Sequence, residues 1–176
     1  MRWWWTLSMV AACGGGPSGD SNPDAANSVD ADPQAQCLVD SDYGALGAKA
    51  GAQSMGPTRL AVELAAIGEP RDVLFINLKD GQGVFAGGLT TGTFTISGDE
   101  ADFINCGLCV SIIADLIPMV GPTKFYAASS GTVTITATTP PAGSAQDLTF
   151  REVMVDGTDA MGDCASSIES ISFMQP

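Results

Sequence analysis

The chain has 176 residues, with 20 Asp and Glu against 7 Lys and Arg and a formal net charge of −13. A surface of that charge repels phosphate backbones, which argues against nucleic acid as a direct partner. The chain has no histidine, so Ser-His-Asp and Cys-His mechanisms and His-ligated zinc or copper are excluded.

The first thirteen residues predict an export signal. Arg2 precedes an apolar run, Trp3 to Ala12, which is well under the roughly 20 apolar residues that span a bilayer. Val10-Ala11-Ala12-Cys13 resembles the lipobox of bacterial lipoproteins. The resemblance implies that residues 1–12 are a lipoprotein signal peptide and that Cys13 carries the lipid that anchors the protein to the membrane. An ordinary signal peptide with a chance cysteine is the alternative.

Residues 13–36 predict a disordered, acidic linker. They are rich in Gly, Pro, Ser, Asn, Asp and Ala, and such a segment cannot bury enough apolar surface to become ordered. This composition resembles the spacers of Gram-negative lipoproteins. In that family an Asp after the lipidated Cys favours retention at the inner membrane, so Gly14 implies the outer membrane or cell surface. A periplasm-facing domain is the alternative orientation.

Residues 37–176 predict one domain made of short strands. Apolar–polar alternation and short apolar runs between Gly and Pro turns are the signals. They predict strands at 59–67, 72–78, 84 onward, 90–97, 108–116, 124–128, 131–138, 148–155 and 168–173. The first of these could also form a short helix, and 42–53 gives no clear pattern. Strands at this spacing without a convincing amphipathic helix predict an all-β, antiparallel β-sandwich or jelly-roll-like single domain.

Four cysteines remain for cross-linking, namely Cys37, Cys106, Cys109 and Cys164. An even number in an exported domain predicts two disulfides, with three possible pairings. Cys106 and Cys109 can pair only if the chain turns at Gly107, because an extended i,i+3 pair is about 10 Å apart. Cys37 and Cys164 lie near the two ends of the domain, which commonly meet in sandwiches.

Two other uses of these cysteines fit the sequence less well. A thioredoxin-like redox motif places its second cysteine in a helix, whereas Cys109 is followed by a β-branched run that predicts a strand. A zinc site built from four thiolates fits poorly, because one C-x-x-C with two distant cysteines is not the spacing of a zinc ribbon. Structural disulfides are therefore the favoured interpretation.

The acidic residues offer two further hypotheses. The acidic loops could hold Ca²⁺ at extracellular concentrations, and their candidate ligands are Asp99, Glu100, Asp102, Asp156, Asp159 and Asp163. Solvated loops without metal or other cofactor are the favoured alternative. Glycoside hydrolysis needs only paired carboxylates, and the candidates on strands are Glu63, Asp72, Asp115 and Glu152.

The sequence therefore favours a lipid-anchored envelope lipoprotein that acts as a non-catalytic binding or structural module. Its expected partners are the membrane, through Cys13, and a protein or glycan ligand of unknown identity. A small exported hydrolase that uses carboxylates only, or a C-x-x-C redox protein, is the alternative.

Overall fold

The computed structural model describes residues 42–50, 56–64, 71–116, 119–122, 124–160 and 164–175, which all belong to one compact unit. They contain β1 (Ala45–Ala50), β2 (Arg59–Glu63), β3 (Arg71–Leu78), β4 (Gly92–Ile96), β5 (Leu108–Leu116), β6 (Lys124–Thr138), β7 (Pro141–Val153) and β8 (Ala165–Met174). None of the described residues lies in an α-helix, and no helix among them is long and apolar enough to cross a membrane. The predicted all-β single domain is confirmed.

The strands form one sheet, in the order β1-β8-β7-β6-β5-β3-β2 with β4 also paired to β6. All pairs are antiparallel except β1 with β8, a parallel pairing that no sequence pattern indicates. The sheet curls into a half-barrel, and its edge strands β1 and β2 contact each other. The hydroxyl of Tyr43, just before β1, donates a 2.7 Å hydrogen bond to Asp72 in β3.

The core lies on the inner face of this curled sheet. In β5 the alternate residues Leu108, Val110, Ile112 and Ala114 are buried there. Side chains in a strand point alternately to the two faces, so a strand with every second residue apolar buries one face. Each fully buried Leu or Ile stabilises the fold by about 1.5–3 kcal/mol.

β6 is one long bent strand where the sequence predicted two. Its register shifts around Ser130, next to Gly131 with φ +126°. A Cβ on Gly131 would lie 2.9 Å from the carbonyl oxygen of Asp147, so only glycine allows β7 to approach so closely. The two halves of β6 pair on one edge with different strands, the first with β5 and the second with β4.

Two of the predicted strands differ most from the structure. The strand expected from Val84 is a 3-10 helix, Gly83–Phe85, because the fully buried Phe85 draws this segment into the core as a turn. The strand expected at 148–155 already begins at Pro141 and ends at Val153. Pairing with β6 carries it through residues 141–147, where the sequence pattern predicted no strand.

The outer face of the sheet has two parts of different character. Across β4, β6, β7 and β8 it carries uncharged polar side chains in two registered rows, which are Thr93, Thr134, Ser144, Ser172 and Thr95, Thr132, Gln146, Ser170. Across β2, β3 and β5 it is covered: Ala61, Phe75 and Cys109 point outward but are buried. The covering segment is the connection between β4 and β5.

Candidate ligand-binding site

The connection between β4 and β5, residues 97–107, is here called the cover loop. It begins with the 3-10 helix Gly98–Ala101. It ends at a disulfide between Cys106 and Cys109, whose Cα atoms are 5.2 Å apart. Gly107 supplies the turn that this short bridge requires, so the predicted Cys106–Cys109 disulfide is present.

A buried carboxylate fixes the cover loop from within. Glu100 is only 6% exposed, and its oxygens accept backbone N–H groups from Val84 at 2.8 Å, Gly107 at 3.3 Å and Leu108 at 2.6 Å. Three donors converge on the two oxygens of this side chain, and a carboxylate offers enough acceptor positions for all of them. Glu100 therefore joins the 3-10 helix at 83–85, the cover loop and the start of β5.

Two glycines make this junction sterically possible. A Cβ on Gly83 would lie 1.9 Å from the Glu100 carboxylate, and one on Gly107 would lie 2.1 Å from the carbonyl oxygen of Gln82. Gly83 also has φ +45°, in the left-handed region that side chains disfavour. The two glycines therefore allow the backbone to approach Glu100 at Gly83 and Gln82 at Gly107 this closely.

Two cations hold the cover loop against the outer face. Lys79, at the end of β3, donates from Nζ to the carbonyl oxygen of Ile104 at 2.9 Å. Arg151, in β7, donates from Nη2 to the carbonyl oxygen of Ala101 at 3.2 Å. Because these anchors lie at different points of the sheet, the loop runs across the outer face and leaves a pocket at each anchor.

The first pocket, here called the Arg59 pocket, lies between the loop and strands β2, β3 and β5. Its volume is about 320 Å³, and its lining residues are Arg59, Phe75, Asn77, Lys79, Phe103, Ile104, Cys109 and Ser111. The sheet supplies a polar floor through Asn77 and Ser111. The loop supplies an apolar wall through Phe103 and Ile104, and Ile104 is 50% exposed.

Arg59 has an unusual environment. Its guanidinium carbon lies 4.5 Å from the centre of the Phe75 ring, a cation–π contact. Its Nε is buried and has no hydrogen-bond partner in the structure as described. Among the described residues, this guanidinium is therefore positioned by an aromatic ring and not by a carboxylate.

The second pocket, here called the Arg151 pocket, lies at the other anchor and has a volume of about 470 Å³. Its lining includes Ala101, Asp102, Arg151, Gly157 and Asp159. The guanidinium of Arg151 forms an ion pair with Asp159 in addition to its bond to the loop. The charge of this arginine is thus balanced within the protein.

The structure gives the calcium candidates other contacts. Asp102 accepts the backbone N–H of Ile104 at 2.8 Å and the side-chain amide of Asn105 at 2.7 Å, and these bonds lower its pKa. Asp156 accepts the hydroxyl of Thr158 at 2.7 Å and its N–H at 3.0 Å, which lowers the pKa of Asp156. These are turn-forming contacts.

The other calcium candidates do not assemble a site either. Glu100 is held by the three N–H groups described above, Asp159 by Arg151, and Asp99 is exposed on the short helix of the cover loop. Asp163 lies outside the described residues. Within the described part of the chain, no group of three Cys, Asp or Glu side chains is placed to hold a metal ion.

Three of the four carboxylates considered for hydrolysis lie near Tyr126. Asp72 accepts the N–H of Asp115 at 2.9 Å, and Glu152 forms a 3.1 Å ion pair with Lys124. Burial, followed by the charges of Glu152, Asp115 and Asp72, raises the pKa of the Tyr126 hydroxyl. Tyr126 itself is 0% exposed, and the carboxylates around it are half-buried and bonded to neighbouring groups, Asp72 to Tyr43 and Glu152 to Lys124.

The remaining predicted residues lie elsewhere. Glu63 forms a 3.4 Å ion pair with Arg71, and both side chains are about half exposed. Cys164 is disulfide-bonded, and its partner is not among the described residues. Its pairing with Cys37 stays a prediction, because Cys37 and the lipidation candidate Cys13 also lie outside the described residues.

Arg59 and Lys79 were not identified as site residues from the sequence. One signal could have pointed to them: both are cations at ends of predicted strands in a chain where acidic residues outnumber basic ones by 20 to 7. Their meeting in one pocket depends on the pairing of Arg59 with Asn77 across β2 and β3.

Comparison with known proteins assigns the chain to no family. No protein family model, no curated protein and no solved structure matches the chain.

Proposed function

We propose that the protein is a non-catalytic binding module, held at the bacterial envelope by a lipid on Cys13, whose ligand occupies the Arg59 pocket. The observation that carries the proposal is that Arg59 and Lys79 line the same pre-formed pocket. Neither of them is bound to a carboxylate among the described residues. Ligand sites of this kind combine apolar walls with a few placed polar groups.

The construction of the pocket supports ligand binding. Its floor is three hydrogen-bonded strands, and its wall is a loop fixed by Glu100 and by the disulfide. A site formed by rigid elements loses little conformational freedom when a ligand binds, which favours affinity. The exposed Ile104 offers apolar area at the rim of the pocket.

The two catalytic alternatives have less support. A redox role needs an accessible cysteine with a lowered thiol pKa, whereas Cys106 is 1% and Cys109 is 7% exposed. An acid-only hydrolase needs two carboxylates that reach a substrate. The carboxylates that gather do so around a tyrosine that is closed to solvent.

The binding site is tested by filling it. Ser111 lies on the pocket floor directly opposite Phe75, so Ser111→Phe should place a ring in the pocket. A library of neutral, anionic and cationic fragments, screened by ligand-observed NMR, should give hits on the wild type that this variant loses. Thr134→Phe, on the other part of the outer face, is the matched control and should keep them.

Two results would contradict the binding site: no fragment binding at millimolar concentration, or hits that are indifferent to Ser111→Phe in a variant shown to be folded by circular dichroism. The anchor has its own test. Radiolabelled palmitate should label the wild type and not Cys13→Ala, and equal labelling of both would contradict it.

A further inference from the structure

We propose that the Arg59 pocket recognises a small organic monocarboxylate, with the carboxylate bound by Arg59 and Lys79 and an apolar, planar body against Phe103 and Ile104. The inference rests on the proposed binding function and names the chemical class of its ligand. It follows from the charge, the geometry and the size of the pocket.

Charge is the first argument. In a chain with a net charge of −13, carboxylates are abundant, and Arg71, Lys124 and Arg151 each pair with one. Neither Arg59 nor Lys79 pairs with a carboxylate in the described part of the chain. Lys79 has three donors, and its one recorded side-chain bond is to Ile104. The pocket thus holds two positive charges that a bound anion can neutralise.

The geometry of Arg59 is the second argument. Its guanidinium lies over the Phe75 ring, so the ring limits how that group can turn. A planar guanidinium presents parallel N–H donors that match the two oxygens of a carboxylate. Asn77, directly opposite Arg59 in the sheet, adds an amide that can bond to either oxygen.

Size and surrounding charge define the rest of the ligand. A volume of about 320 Å³ is at the small end of ligand pockets, which fits a molecule of about one ring. Two cations let each carboxylate oxygen meet its own positive group, and the net charge of −13 opposes a dianion more strongly than a monoanion. The side chains of Phe103 and Ile104 consist of carbon and have no hydrogen-bonding atoms, so they suit an apolar ligand body.

The test uses the full chain and four probes that differ in one property each. Benzoate carries a carboxylate on a ring, benzamide is its neutral analogue, phenyl phosphate is a dianion and glucuronate has a polar body. Titrations followed by NMR should show benzoate binding at least tenfold more tightly than each of the other three. Added salt should weaken benzoate binding, because the attraction is electrostatic.

Variants locate the binding. Arg59→Gln should weaken benzoate at least tenfold, and Lys79→Gln should weaken it severalfold. Arg71→Gln removes the same charge from the other end of the same sheet region and should leave benzoate affinity within twofold. If circular dichroism shows that Arg59→Gln is unfolded, the comparison of Lys79→Gln with Arg71→Gln tests whether benzoate binds in this pocket.

The possible failures are distinguishable. Equal binding of benzamide and benzoate, lost in Ser111→Phe, would overturn the carboxylate and leave the binding module in place. Tighter binding of phenyl phosphate than of benzoate would overturn the claim that the ligand is a monoanion. Equal binding of glucuronate and benzoate would overturn the claim that the body of the ligand is apolar. Benzoate binding that is indifferent to Arg59, Lys79 and Ser111 would overturn both proposals, as would the absence of any binding.

Discussion

The two pockets beside the cover loop contain the same type of residue in opposite electrostatic states. Arg151 forms an ion pair with Asp159 and donates to the carbonyl oxygen of Ala101. Arg59 lies over an aromatic ring, and its Nε has no partner in the described structure. The arginine of the larger pocket is therefore neutralised by Asp159, and among the described residues the smaller pocket has positive charge available for a ligand.

The difference teaches that pocket volume is a poor guide to function in this protein. The Arg151 pocket is larger, at about 470 Å³ against 320 Å³, but its arginine serves to hold the cover loop. A guanidinium that already has a carboxylate and a carbonyl oxygen gains little from a further anion. Which groups remain unpaired distinguishes the two pockets.

The largest expected effect comes from removing the feature that both pockets share. Glu100→Ala would leave the N–H groups of Val84, Gly107 and Leu108 without their buried acceptor. Leaving buried donors unsatisfied costs roughly 1–3 kcal/mol for a group, so we expect a loss of about 3 kcal/mol or more. Urea unfolding measures it.

The matched control for that variant is Asp99→Ala, which removes an exposed carboxylate from the same short helix. It should change the free energy of unfolding by less than about 0.5 kcal/mol. A Glu100→Ala protein as stable as this control would show that the buried carboxylate does not organise the cover loop.

A smaller effect is expected from making the two pockets alike. Ser111→Asp would add a carboxylate beside Phe75, on whose ring Arg59 lies, and so reproduce the pairing of Arg151 with Asp159. Benzoate binding should fall at least tenfold, which is about 1.4 kcal/mol. NMR titration measures it.

Two further variants are the controls for that comparison. Ser111→Asn has nearly the shape of Ser111→Asp without its charge and should retain most of the affinity. Arg71→Gln removes a cation that Glu63 already balances, away from the cover loop, and should leave benzoate affinity within twofold. Equal loss in Ser111→Asp and Ser111→Asn would show that shape, and not charge, distinguishes the pockets.

The smallest effect concerns pH. The N–H groups of Ile104 and Asn105 and the Asn105 amide hold the pKa of Asp102 below its ordinary value of 3.8. A lowered pKa in the folded state gives stability that is fully present above 3.8 and is lost as pH falls through the lowered value. Asp102→Ala should therefore lower the unfolding temperature at about pH 6 and lower it less at about pH 2.

Thermal unfolding at the two pH values checks this, with Asp99→Ala as the control that should differ from the wild type at neither. A destabilisation by Asp102→Ala that is the same at both pH values would contradict a contribution from the ionised carboxylate. The result bears on the Arg59 pocket because the turn that Asp102 closes carries Ile104.

The sequence by itself determined the all-β class, most strands and the disulfide at Cys106 and Cys109. These follow from local rules: alternation defines a half-buried strand, and Gly107 permits the turn that a three-residue spacing needs. The segment from Leu108 to Leu116 was predicted with its observed bounds because every second residue there is apolar. The same rule failed at Val84 and Phe85. Phe85 is buried from a turn and not from a strand, and the alternation of apolar and polar residues does not distinguish the two.

Only the tertiary structure decided which residues form the pocket and what each acid does. Glu100, Asp102 and Asp159 looked alike as acidic loop residues, and the fold made them a buried acceptor, a turn cap and an ion-pair partner. Arg59 acquired its role from strands far along the chain that bring Phe75, Lys79 and the cover loop to it. The physical reason is that pairing and burial depend on which distant groups become neighbours, and sheet register fixes those neighbours over separations that no local pattern records.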